Sequence, residues 1–270
     1  MKVILSRKGF DSQYGGQASP IMPDGTLLSF PIPLPNENNY FSDLTYKGRS
    51  YMEIIKELNP KTKIPNNYTC HLDPDIRKFA RNRKKGWEPL FGQTGSSQGH
   101  LVRKKVQQGD LFLFFGTFKE TELIDEKLSY KFNAPEIHLI YGYLQIGIIY
   151  SDLSILPPEL LYHPHAQNKF INDKNNCIYK ASKNLSFQNS FAGAGCLNFH
   201  KTLILTKKGL SKSKWDLPEL FRNIEISYHS PKSFKDGYFQ SAAKGQEFII
   251  DESLSVTEWA TKIIINGTKK

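Results

Sequence analysis

Thiols are scarce in this chain. Cys70, Cys177 and Cys196 are the whole supply, scattered, odd in number and never spaced C-x-x-C. That excludes a disulfide-framed secreted domain and a structural zinc site built from thiolates. Long apolar runs are missing too. The opening Val3-Ile4-Leu5 turns polar at Ser6, too short for a signal peptide. The stretch from Ile137 to Tyr150 is broken by His138, Gly142, Gln145 and Gly147 and cannot span a bilayer as a helix. The expected compartment is the cytoplasm, with no membrane partner. Also absent are a G-x-S-x-G elbow, an H-E-x-x-H pair, a deaminase H-x-E with P-C-x-x-C, and any Walker or Rossmann glycine loop.

What is present is a sizeable core and a basic surface. The chain has 270 residues, 39% of them hydrophobic, including 18 Phe and 13 Tyr, enough to exclude wholesale disorder. Lys plus Arg number 36 against 26 Asp plus Glu, a net charge of +10. Such a surface attracts polyanions, nucleic acid first among them; a solvated Lys- and Asn-rich surface is the plainer alternative.

The chain reads as one α+β domain over residues 1–270, with a mostly antiparallel, barrel-like central sheet and flanking helices. Val3–Leu5, Asp110–Gly116, Ile137–Tyr150, Cys177–Ala181, Thr202–Thr206 and Phe248–Ile250 are expected strands, with bends at Gly142 and Gly147. Helices are expected at Ser50–Leu58, from an Asp73 N-cap through Pro74 to Lys85, at Ser96–Val106, at Leu217–Arg222 and at Ser255–Ile265. Residues 15–45 form a Pro- and Gly-rich crossing. Residues 119–135 and 170–176 are the expected surface insertions.

Several polar segments are candidates for chemistry. After the first strand, Ser6, Arg7 and Lys8 can hold a phosphate, Gly15 and Gly16 admit close backbone approach, and Asp11 offers a general base; the alternative is a turn with an Arg7–Asp11 ion pair. The loop from Gln93 to His100 offers helix-start N–H groups for an anion, Gln93 and Gln98 for base edges, and His100 for proton transfer; simple capping is the alternative. His71 is either an acid/base group or ligand, or a polar loop residue, and Asp73 is accounted for by capping. His163-Pro164-His165 puts two imidazoles on one face, but the third ligand a metal needs is missing locally; His71, His100 or an aspartate would have to supply it through the fold. No metal ligand set and no cofactor are assigned. Gln246 precedes Glu247, the best late carboxylate for catalysis or else an edge-strand charge. Arg77, Arg81, Arg83, Lys84, Lys85, Arg103 and Lys104 either track a phosphate backbone or complement helix dipoles.

Taken together, Ile4-Leu5-Ser6-Arg7-Lys8-Gly9-Phe10-Asp11, Tyr14-Gly15-Gly16, Pro23-Asp24-Gly25, His71-Leu72-Asp73-Pro74-Asp75, Phe91-Gly92-Gln93, Gln98-Gly99-His100-Leu101, Gly109 to Gly116, Gly142 to Gly147, His163-Pro164-His165 and Gly245 to Phe248 resemble the family called nucleotide modification associated domain, type 3. The likeness covers nearly the whole chain in order. It implies a setting beside DNA base-modifying and phage systems, not a mechanism. Gly109-Asp110 and Gly142 to Gly147 are also weakly similar to PUA, ASCH and EVE barrels that bind extruded or modified bases.

The expected function is therefore action on a nucleotide or nucleic acid in a base-modification or phage-defence context. A hydrolase or transferase with one polar phosphate-binding pocket would use Asp11, His100, His163 or Glu247 for proton transfer, with Ser6, Arg7, Lys8, Gly15, Gly16, Gln93, Gln98, His165 and Gln246 around the ligand. The alternatives are a non-catalytic reader of modified bases, stacking them on aromatics near Phe112–Phe118 and Tyr141–Tyr143, and an accessory subunit holding a modification enzyme, encoded nearby, on DNA.

Overall fold

The computed structural model describes every residue except Asn172, Lys174 and Lys270. The expected insertion at 170–176 therefore lies partly outside the described residues.

The longest apolar runs, within Leu111–Ile124 and Ile137–Tyr150, become strands buried on both faces over most of their length. Val3–Arg7 (β1), Ser19–Ile21 (β2), Leu90–Gln93 (β3), Leu111–Ile124 (β4), Lys127–Tyr130 (β5), Ile137–Tyr150 (β6), Cys177–Ala181 (β7), Ala194–Cys196 (β8) and Glu247–Ile250 (β9) form one nine-stranded sheet. Its path runs β9-β1-β4-β6-β7-β3, with β2 and β5 on β4 and β8 on β6. The pairings are mostly antiparallel, but β1 and β2 lie parallel to β4. Register shifts fall at 140/142 and 146/148, beside Gly142 and Gly147, where the long strand bends.

The expected barrel does not close among the described residues: the terminal strands β9 and β3 share no ladder. Their side chains nevertheless meet, since Gln93 Nε2 donates to Glu247 Oε1 at 2.6 Å. The charged stretch after Phe118, within the expected insertion at 119–135, forms a hairpin. The strand continues to Ile124 and returns as β5 through Asp125 and Glu126, both in the left-handed region.

Helix α1 (Tyr51–Leu58) starts with a capping box between Ser50 and Glu53 and buries Tyr51, Met52, Ile54, Ile55 and Leu58 over a second core containing Phe10, Phe30 and Phe41. Helix α2 (Gly95–Arg103) leaves the end of β3; α3 (Asn168–Ile171) is a single turn; α4 (Leu254–Thr268) covers the main core with Val256, Ala260, Ile263 and Ile264.

Three expected elements differ. No α-helix runs from Asp73 to Lys85. Residues 70–75 are extended instead: Cys70–His71 pairs with Ile32–Pro33, Asp75 bridges Leu90, and only Lys78–Ala80 makes a 3-10 turn. The carboxylates of Asp73 and Asp75 are drawn into long-range hydrogen bonds, which override the local capping signal. The short helix expected at 217–222 forms as a 3-10 helix over 219–223, and 202–206 contribute a 3-10 turn and isolated bridges rather than a strand.

Candidate functional site

The extended segment His71-Leu72-Asp73 places the two polar side chains on one face, two residues apart. Asp73 lies beside β3, where its Oδ1 accepts the Gly92 N–H at 2.7 Å and so stands in for a ladder acceptor. Gly92 is required there. A Cβ on it would lie 2.2 Å from His165 Cδ2 and 2.9 Å from His163 Cε1, so only glycine lets both imidazoles pack onto the strand.

His163 and His165 flank Pro164 at the start of a 3-10 turn, and His163 Nδ1 accepts the His165 N–H at 3.3 Å. His163 Nε2 reaches within 3.3 Å of Asp73 Oδ1. His165 Nε2 lies 4.0 Å from Asp73 Oδ2 and 3.2 Å from His71 Nε2. Each ring is held from behind: His71 Nδ1 against Glu37 Oε1 at 3.3 Å, His165 Nδ1 against Asn176 Oδ1 at 2.8 Å. Phe170 stacks on His165 at 4.6 Å. All of the three histidines, Asp73, Glu37 and Asn176 are buried.

Burial opposes ionisation of Asp73, but the contact with His163 and the proximity of His165 and His71 outweigh it, holding its carboxyl well below the usual carboxylate range. Burial drives His165 down to about 3 despite Asp73, so its imidazole is neutral at pH 7.

On its other side Asp73 borders a small pocket of about 30 Å³, room for about one water. Gly9, Ser29, Tyr51, Arg77 and Tyr141 line it as well. Burial pushes the Tyr51 hydroxyl up to about 12 and the Tyr141 hydroxyl up as well, so both are protonated donors at neutral pH. Arg77 donates to the Leu27 carbonyl at 2.6 Å. The pocket thus collects a carboxylate, a guanidinium and two phenols where few polar groups need be buried for folding alone. Nearby segments shape a second, basic cavity of about 470 Å³ lined by Asn39, Arg81, Lys84, Lys85, Tyr162 and Gln167.

The other candidates from sequence fall into separate groups. Ser6 Oγ, Lys8 Nζ and Gln93 Nε2 all converge on Glu247 Oε1, at 3.1, 3.1 and 2.6 Å, where the sheet's two ends meet; Glu247 Oε2 is buried and has no partner. Gln246 is exposed beside them, its Oε1 3.4 Å from Gln93 Nε2. Arg7 turns away, donating to the Ala242 and Ala243 carbonyls; it makes no ion pair with Asp11, whose carboxylate caps its own turn at Gln13 and Tyr14. His100 Nε2 pairs with Ser227 Oγ at 2.9 Å, and Gln98 Oε1 accepts from Tyr179. Gly15 and Gly16 line a cavity of about 600 Å³ with Lys61 and Lys63. Among the basic residues, Arg83 grips Asp75 with two bonds, Arg81 bonds Asn39 and Lys104 pairs with Glu225, whereas Lys84, Lys85 and Arg103 are exposed.

Sequence reasoning did not single out Glu37, Tyr51 or Asn176, offered Tyr141 only as an aromatic for stacking a base, and read Asp73 as a cap. The alternation His71-x-Asp73 was the one available signal for Asp73. Nothing local marks the others.

Fold and site together define an α+β protein with an open, strongly bent sheet and a buried carboxylate–imidazole cluster beside its β3 edge. The chain belongs to the family whose model is described as nucleotide modification associated domain 3, which matches residues 2–251. No curated protein and no solved structure matches it. No helix among the described residues is long and apolar enough to cross a membrane.

Proposed function

We propose that this protein acts on a nucleotide or nucleic acid, as a hydrolase or transferase in a DNA base-modification or phage-defence setting, with its working site organised on Asp73. One observation carries the reading: Asp73 stands between three buried histidines and a pocket furnished with Arg77, Tyr51 and Tyr141. Membership in a family named for nucleotide modification supports this substrate class. A carboxylate held so acidic is a weak proton acceptor, so its part is to orient and to stabilise positive charge. Arg77 and the two phenols donate to an anionic or carbonyl oxygen entering the pocket. Lys84, Lys85 and Arg81, lining the neighbouring basic cavity, hold the phosphate backbone. The Ser6, Lys8, Gln93 and Glu247 group serves as a strut that pins the two ends of the sheet, and Asp11 shapes its own turn.

Mass spectrometry of nucleosides from cells expressing the protein beside its genomic neighbours tests this. The expected result is a nucleoside whose level changes with the wild type and returns to baseline with Asp73→Asn. Unchanged nucleosides with tight, modification-dependent DNA binding would overturn catalysis in favour of a reader.

A further inference from the structure

We propose that His71 Nε2, His165 Nε2 and Asp73 Oδ2 bind a single divalent transition-metal ion, zinc or iron(II) in kind. The proposal deepens the reading above by naming what the Asp73 cluster holds; its metal chemistry stands on side-chain geometry alone.

Asn176 fixes the orientation of His165. Its Nδ2 donates to the His165 carbonyl at 2.7 Å, which fixes the amide so that Oδ1 faces the imidazole. An amide oxygen only accepts, so His165 Nδ1 is the donor there and Nε2 is the ring nitrogen available as a ligand. Glu37 holds His71 in the same way, with its carboxylate 3.3 Å from Nδ1 and the ring turned so that Nε2 faces His165. The two Nε2 atoms then face each other at 3.2 Å beside an acidic oxygen, Asp73 Oδ2, 4.0 Å from His165 Nε2. Two ring nitrogens at that distance are joined either by one proton or by a cation between them, and the adjacent carboxylate oxygen favours the cation.

The spacing fits a metal. With metal–nitrogen bonds of about 2.0–2.1 Å, two imidazole nitrogens on a tetrahedral ion sit about 3.3 Å apart. All three ligand atoms lie within 4.8 Å of one another. Asp73 keeps Oδ2 for the ion because Oδ1 is engaged by Gly92 N–H. Glu37 and Asn176 are the outer groups that orient metal-bound histidines and set their tautomers. Two imidazoles and one carboxylate suit zinc or iron(II) and leave coordination positions open, whereas magnesium and calcium prefer all-oxygen sets. His71 thus supplies the ligand that the His163-Pro164-His165 segment lacks locally.

The test uses chelator-stripped full-length protein titrated with Zn²⁺ and, anaerobically, Fe²⁺ by calorimetry, and with Co²⁺ by visible absorption. The expected result is one ion per chain, a d–d spectrum of nitrogen/oxygen ligation, and no heat with Mg²⁺. His71→Ala and His165→Ala should each weaken binding at least about a hundredfold, and Glu37→Gln about 10–100-fold. If either alanine variant fails to fold by circular dichroism, X-ray absorption of the wild-type Co²⁺ complex substitutes, with two imidazoles expected in the ligand shell. No saturable binding of Zn²⁺, Fe²⁺ or Co²⁺, unaltered affinity in folded His71→Ala and His165→Ala, or a shell without two imidazoles overturns the metal site. Tight metal binding in a protein that leaves every nucleoside unchanged would instead overturn only the functional reading.

Discussion

Replacing His138 should flatten the acid limb of the stability curve. The side chain is buried on β6, where its Nδ1 accepts the Trp215 indole N–H at 3.1 Å and its ring packs against Phe115. Burial first, then the positive fields of Arg7 and Lys212, push its pKa from 6.5 down to about 3. A histidine depressed in this way is neutral in the folded chain at pH 5 but protonated in the unfolded one, so the unfolded state binds more protons and stability falls with pH below about 6.5. From the two pKa values, the loss between pH 7.5 and pH 5 is about 2 kcal/mol for this residue. Asn at 138 keeps an acceptor where Nδ1 stands and cannot titrate. Urea unfolding of the wild type and His138→Asn at pH 7.5 and pH 5 isolates the effect, because all other titrating groups cancel in the difference. The variant should start less stable and lose about 2 kcal/mol less on acidification. Parallel losses, within about 0.5 kcal/mol, would refute the reasoning.

Other outcomes follow from the same structure. Glu247→Ala removes the shared acceptor of Ser6, Lys8 and Gln93 and strands a half-buried ammonium; thermal or urea unfolding should show a cost of about 3–5 kcal/mol, and a cost under about 1 kcal/mol would mean that the sheet ends are not pinned there. Gly92→Ala drives a methyl into His165 and His163 and should cost about 1–3 kcal/mol while weakening Zn²⁺ binding, whereas unaltered stability and affinity would show that the imidazoles do not rest on the strand. Lys84→Glu with Lys85→Glu should lower DNA affinity uniformly across sequences and reduce the slope of log affinity against log salt by about 2; an unchanged slope would move the phosphate contacts elsewhere.

The parts of the fold legible in the sequence are those where one strong local pattern meets no competitor. Val3-Ile4-Leu5, the Asp110–Gly116 run and Cys177–Ala181 are apolar enough to be buried strands in any arrangement, and the Ser50/Glu53 box announces α1. The misread helix at 73–85 carries good local signals, Asp-Pro-Asp followed by Ile76, Phe79 and Ala80 at helical spacing. It fails because Gly92 N–H claims Asp73 and the Arg83 guanidinium claims Asp75. The strand through Lys119–Ile124 was hidden because its charged residues face solvent on an edge hairpin with β5. For the site, the residue types were legible: His71, His163 and His165 stood out as acid/base or ligand groups. Their meeting was not. The His71–His165 contact spans 94 positions, and only the placement of the 70–75 segment beside β3 creates it. Arg7, His100 and Glu247 were equally conspicuous in the sequence, and other partners, the Ala242 carbonyl, Ser227 and Gln93, take up their side chains.

The central claim, that the small pocket between Asp73 and Arg77 receives one oxygen of a nucleotide seated in the neighbouring basic cavity, is tested most directly by equilibrium binding of nucleoside monophosphates and a short DNA duplex to the wild type and to Arg77→Ala at fixed salt. The account predicts at least about a tenfold loss of affinity, the weight of one charge-assisted contact, in a variant that still folds. Equal affinity in the two proteins would contradict it.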